Sequence, residues 1–297
     1  SILFILILTL AGLSIAVVNA MFNSPWGTFT VFATIPIAMI MGIYMQKVRP
    51  GDIKGGSIIG VILLGVSLLA GPYVAADPTL AKMLTFSKKE LAVIIPVYGF
   101  FASVLPVWFL LVPRDYLSTY LKIGTIAALA IGIVFVNPTM QMPAFTTHVF
   151  GGGPVIPGAV FPFMFITIAC GALSGFHAII GSGTTPKMIA NEKDILFVGY
   201  GAMLTEGFVA IMALIAACVL VPADYFAINA APAAFAKLGI TTVNPPELAR
   251  QVGEEVQGRP GGAVSLAVRM AYIFSSVPFM KGMMAYWYHF AIMFEAV

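Results

Sequence analysis

No Asp, Glu, Lys or Arg occurs before Lys47. A hydrocarbon core about 30 Å thick takes about 20 helical residues to cross, so this opening stretch holds two crossings. Uninterrupted apolar runs of this length select helices. The rest of the 297-residue chain agrees, with 60% hydrophobic and 9% charged residues and a mean hydropathy of +1.00. A soluble domain carries roughly 25% charged residues. Disorder, a coiled coil and a disulfide scaffold are excluded, and the fold class is an all-α polytopic membrane protein.

Apolar blocks and their breakers predict about seven complete crossings and the start of another. They run about Ser1–Phe22, Trp26–Gln46, Gly55–Ala76, Leu91–Val112 (with Pro96 and Pro106), Thr119–Val136, Ala159–Ile180 and Ile195–Val221. An uncharged loop rich in Pro, Gly and Thr, Asn137–Gly158, separates the fifth from the sixth. This gives a transmembrane core over 1–221, a loop of mixed charge over 222–262, and a final part over 263–297. That last part holds a short segment, Ala263–Val277, and an opening crossing, Met283–Val297. Ser1–Phe22 lacks a basic n-region and a cleavage site, so it reads as a crossing and not a signal peptide.

Alternating the crossings puts Lys47, Arg49, Lys54, Arg114, Lys122, Lys187 and Lys193 on one side, against Lys82, Lys88 and Lys89 in a short loop on the other. The larger set marks the cytosolic side, so the 222–262 loop is expected to face outward. The net charge of +3 therefore records orientation, and no nucleic-acid partner is expected. Cys170 and Cys218 lie in apolar stretches and read as small buried hydrophobes. No metal-ligand spacing is present, and no cofactor is expected.

The strongest local signal is Gly175-Phe176-His177 running into Gly181-Ser182-Gly183-Thr184-Thr185-Pro186-Lys187. Two glycines and three hydroxyls at the end of a crossing predict a break over 181–183. Thr185 before Pro186 predicts the start of a new helix. Broken helices of this kind mark substrate and ion sites in transporters, while the plainer reading is an ordinarily capped turn. The string is not a P-loop, because Lys187 is flanked by Pro186 and Met188. His177 is either a hydrogen-bonded core histidine or an ionisable functional group. Glu206, the only charge between Asp194 and Asp224, either carries a proton or pairs with a cation such as Lys281. It is expected to be enclosed by protein.

Tyr98 and Ser103 sit in the fourth crossing, where two prolines free backbone carbonyls. That crossing exits through Pro113-Arg114-Asp115-Tyr116, with Arg114 and Asp115 read as a gate pair or as a solvated anchor. Tyr286-Trp287-Tyr288 reads as packing and interfacial belt. His289 and Glu295 are further candidates for the same cavity.

Several long motifs together resemble the carbon starvation protein A family. They are Val104-Leu105-Pro106-Val107-Trp108, Pro113-Arg114-Asp115-Tyr116-Leu117, Phe165-Ile166-Thr167-Ile168-Ala169-Cys170-Gly171, Gly175 through Lys187, and Trp287-Tyr288-His289-Phe290-Ala291-Ile292-Met293-Phe294-Glu295-Ala296. The resemblance covers essentially the whole chain. It implies a multi-pass transporter of the bacterial inner membrane that takes up peptides or, with a proton, pyruvate, built on a core of two inverted five-helix repeats. Family members are longer, with an upstream Gly-His-His-Phe segment and further crossings beyond Val297. The chain is therefore expected to be a fragment or split subunit, completed by the remainder of the transporter.

The leading function is a secondary active transporter of a small nutrient, peptide or pyruvate, coupled to a proton, with sodium as the alternative ion. Substrate and ion binding fall to His177, Ser182, Gly183, Thr184, Thr185, Lys187, Tyr98 and Ser103, and proton coupling to Glu206 and His177. A channel or accessory membrane subunit is one rival. An intramembrane enzyme using Ser174 or Ser182 with His177 is another, but no G-x-S-x-G elbow exists.

Overall fold

The computed structural model describes residues 2–106, 108–164, 178, 181–183, 185–239 and 245–296. Among them every regular element is helical. The long helices are α1 (Ile2–Met21), α2 (Pro25–Ile43, continued as a π-helix over Tyr44–Val48), α3 (Ile53–Ala76), α5 (Lys88–Val104), α6 (Leu111–Val136) and α8 (Asp194–Val219). Short helices α4 (Pro78–Leu84) and α7 (Thr185–Met188) lie between them. α9 (Pro222–Asn229), α10 (Pro232–Ala236) and α11 (Pro245–Val252) follow, then a hairpin of α12 (Ala263–Ser275) and α13 (Met284–Ala296). Five helices, α1, α2 with its extension, α3, α6 and α8, are long and apolar enough to cross a membrane.

The helix starts follow local chemistry. Ser24 caps α2 by accepting from Gly27 N at 3.1 Å, with Pro25 at the first helical position. A reciprocal capping box between Ser87 and Glu90 opens α5. Asp52 caps α3 through Gly55 N at 2.9 Å and accepts from the Tyr44 hydroxyl at 3.1 Å.

The Gly55 N–H and then the Tyr44 hydroxyl hold the Asp52 carboxyl below its ordinary value. A carboxylate with a lowered folded pKa stabilises above its unfolded pKa and loses that contribution as pH falls through the folded one. Protection of the Gly55 amide, taken relative to its intrinsic exchange rate at each pH, should therefore fall on acidification. In Asp52→Asn, which still caps, that pH dependence should disappear; an unchanged acid response would show that another group governs it.

α2 is the innermost of the long helices, and its packing fixes the site. It lies against α1, α3, α6 and α13. Its buried Thr30 and Thr34 are satisfied by hydroxyl bonds to carbonyls one turn back, Gly27 O at 2.9 Å and Val31 O at 2.6 Å. Gly42 allows the α5–α6 connection close approach: an added Cβ would sit 2.9 Å from the Phe109 carbonyl oxygen. Small residues at helix contacts are the usual device in membranes, where close backbone packing replaces the hydrophobic drive. Outward faces stay apolar, as at Leu3, Phe4, Phe100, Val134 and Phe135; lipid is the solvent that fits them.

Three expectations change. The fourth crossing ends early, at Val104, because Leu105 precedes Pro106 and is held extended. The Pro113-Arg114-Asp115-Tyr116 motif is then not an exit loop. It forms the first turns of α6, where Pro113 costs no hydrogen bond. Secondly, residues 181–183 are helical, so the expected break over Gly181, Ser182 and Gly183 is absent. Ser182 Oγ donates to Ala178 O at 2.7 Å, a back-bond that keeps a hydroxyl compatible with a helix. A helix over Thr185–Met188 is present. Thirdly, 222–262 is no detached loop. It folds into α9, α10 and α11 and buries Ala227, Ile228, Asn229, Val252 and Val256 in the main core with α12 and α13.

Candidate functional site

The polar residues that the fold buries together lie where α1 ends and α2 begins. The segment after α11 turns at Gly253 and Gly258, both with positive φ, a conformation glycine adopts without strain. It is strapped on one side to α9, with Gly258 N on Ala227 O at 3.0 Å and Arg259 N on Ile228 O at 2.7 Å. On the other side Asn19 of α1 donates to Pro260 O at 2.9 Å. The strap drives two charged side chains inward. Arg259 and Glu254 pair at 2.9 Å with side chains 2% and 6% exposed.

α13 supplies the rest. Tyr288 OH donates to Glu254 Oε1 at 2.7 Å, the oxygen that also receives Arg259 Nη1. His289 Nε2 lies 3.5 Å from Glu254 Oε2, and its Nδ1 lies 2.8 Å from Ala285 O. Trp26 of α2 stacks flat on the His289 ring, centroids 3.9 Å apart and planes 8° from parallel. Arg259 also reaches Ala20 O at 3.3 Å. α1, α2, the strap and α13 thus converge around one carboxylate.

Burial alone pushes the Glu254 carboxyl up. Hydrogen bonding and charge from His289, then the charge of Arg259 and the Ser24 hydroxyl, outweigh it and hold the group below its ordinary value. An ion pair this deep is costly to assemble and costlier to break, since removing one partner strands a charge in low dielectric.

The residues singled out from sequence do not converge here. His177 and Thr184 lie outside the described residues. Ser182, Gly183 and Lys187 are exposed and Thr185 half-buried; Thr185 and Gly181 border a groove of about 550 Å³ with Glu192. Tyr98 and Arg114 do meet: Arg114 Nη1 donates to the Tyr98 hydroxyl and its guanidinium sits 4.9 Å from the Tyr98 ring. That contact ties α5 to α6. Asp115 is exposed and, among the described residues, makes no ion pair with Arg114. Ser103 Oγ bonds Phe100 O at 2.8 Å within its own helix. Glu206 is on an exposed face of α8, not enclosed by the described residues. Of the sequence candidates among the described residues, only His289 belongs to the buried cluster.

Glu254 and Arg259 were missed because they lie in a stretch of mixed charge that reads as solvated. One signal was available: Glu254 sits midway between Val252 and Val256, both fully buried, on the inward register of the strap.

The fold and this cluster define a polytopic helical membrane protein that seals an ionisable group inside its bundle. The chain belongs to the carbon starvation protein CstA family, whose model matches residues 1–297. It is 52% identical over 297 residues to the peptide transporter CstA of Bacillus subtilis, covering 100% of this chain and 49% of that protein. With the peptide transporter CstA of Escherichia coli the identity is 51% over 314 residues, 99% of this chain and 44% of the relative. The pyruvate/proton symporter BtsT of Escherichia coli is 47% identical over 332 residues, again 99% of this chain and 46% of the relative. The chain spans about half the length of the curated relatives it matches. No solved structure matches it.

Proposed function

We propose that the protein works in secondary active transport, taking up a small nutrient, a short peptide or pyruvate, together with a proton across the bacterial inner membrane. The observation that carries this reading is the match along the whole chain to relatives named peptide transporter and pyruvate/proton symporter. The buried ionisable cluster supports it, since a carrier that binds a proton needs a titratable group shielded from lipid. In this reading His177, Ser182, Gly183, Thr184, Thr185 and Lys187 bind substrate or ion, together with Tyr98 and Ser103, and Arg114 and Asp115 act at the gate. An enzyme using Ser182 gains no support, because its hydroxyl donates to the Ala178 carbonyl and the relatives carry transporter names.

Counterflow tests it. Proteoliposomes of the full-length protein preloaded with unlabelled dipeptide or pyruvate should draw in the labelled compound against its own gradient, which a channel cannot do. Charge separates the substrates. Pyruvate is a monoanion and moves electroneutrally with one proton, so a clamped potential adds nothing. A zwitterionic peptide with one proton carries net charge, and the potential contributes about 2.3 kcal/mol per 100 mV. Absence of counterflow for both substrates would refute the reading.

A further inference from the structure

We propose that His289 and Glu254 share one exchangeable proton, held between His289 Nε2 and Glu254 Oε2, and that this pair is the proton-binding site of the transport cycle. The second half rests on the transporter reading; the first half stands on geometry alone.

The Ala285 carbonyl has no hydrogen to give, so His289 Nδ1, 2.8 Å away, carries one. A neutral ring then presents a bare lone pair at Nε2. That lone pair faces Glu254 Oε2 at 3.5 Å, and both atoms are buried without a completed hydrogen bond among the described residues. Among the described residues the two donors that complete a hydrogen bond to the carboxylate, Arg259 Nη1 and Tyr288 OH, are both spent on Oε1. Two acceptors therefore confront each other in low dielectric. A single proton, on either atom, turns the contact into a charge-assisted hydrogen bond, about twice as strong as a neutral one.

The surroundings suit a charge that comes and goes. Arg259 and Glu254 sum to zero, and the added proton brings the cluster to +1. The flat Trp26 face at 3.9 Å offers cation–π attraction to the protonated ring. Ser24 is the remaining polar neighbour of the carboxylate. α2 contributes no ionisable side chain. On α11 the charged Glu247 and Arg250 pair with each other at 2.7 Å at the surface, and on α12 Arg269 lies over the Tyr272 ring at 4.2 Å.

The site also has a way to act on conformation. Glu254 is on the strap and His289 on α13, so the proton is the tie between them. With it, the strap is locked to the bundle; without it, the facing lone pairs repel. A proton that binds one arrangement better than the other shifts their populations by that difference.

Two measurements decide this in the full-length protein. In proteoliposomes with an inside-alkaline gradient, one-proton coupling gives about tenfold accumulation per pH unit in the wild type. Glu254→Gln and His289→Gln should each lose that accumulation, bringing inside and outside levels close to equal, whereas Glu206→Gln should keep it. Retention in both pair variants, or loss confined to Glu206→Gln, overturns the coupling role. Nitrogen NMR of histidine-labelled protein, with His289→Gln to assign the signal, decides the shared proton without any transport. A protonated, hydrogen-bonded Nε2 that Glu254→Gln alters supports the pair; a bare Nε2 at every pH refutes it. If the wild type moves neither substrate, the transporter reading and the coupling role fail together, and the spectrum still judges the shared proton.

Discussion

Arg259→Met should be among the most destabilising single changes in this chain, costing about 3–5 kcal/mol. The loss is not that of an attractive contact alone. Met fills similar space, but it leaves the Glu254 carboxylate, 6% exposed, facing Tyr288 and His289 without its cation. The same change made together with Glu254→Gln should cost much less, because no charge is then stranded; buried pairs replaced as a unit are often close to neutral. A double-mutant cycle on unfolding in detergent measures the coupling. If Arg259→Met falls within about 0.5 kcal/mol of wild type, the range of an ordinary surface change, the two side chains are not buried against each other.

Gly71→Ala should be the second large effect. A Cβ built at Gly71 of α3 falls onto the Trp26 indole, at Nε1 and Cδ1. The ring is rigid and lies flat on His289, so it cannot swing aside as a long aliphatic chain would. Either α3 retreats from α2 or Trp26 leaves the imidazole. Overpacking of this kind costs about 1–3 kcal/mol, and near-ultraviolet circular dichroism should report the displaced indole. Gly65→Ala, on the same helix with nothing within 4 Å of the new Cβ, is the control. It should be neutral or stabilising, since Gly in a helix interior costs about 0.8–1.0 kcal/mol relative to Ala. Equal losses at both positions would trace the effect to α3 itself and not to Trp26.

The chain's class was legible residue by residue. The charge-free run before Lys47 and the apolar blocks after it require helices in lipid, because hydropathy sums over neighbours in sequence and backbone satisfaction in lipid is a local demand. The long motifs pointed to the family for the same reason: they are contiguous strings. Helix ends were less legible. Pro106 falls inside a crossing by hydropathy, while the backbone of Leu105 makes it an end; Pro113 reads as part of an exit, while its place in the first turn makes it a start. Both proline outcomes depend on which neighbour the freed groups meet.

The buried cluster is a product of tertiary structure. Arg259 reaches the Ala20 carbonyl across 239 positions and Asn19 reaches Pro260 across 241. Glu254 meets His289 only because α9, α1 and α13 close around one strap. Glu254 is sealed in the core and Glu255 beside it is exposed; alternation with Val252 and Val256 marks which of them turns inward, but not what it meets there. A charge enters an apolar interior only when its partner arrives from elsewhere in the fold. The sequence by itself determined what solvent surrounds this protein. Only the tertiary structure decided which of its charges lie inside, because the energy of a buried charge is set by contacts that no run of neighbouring residues contains.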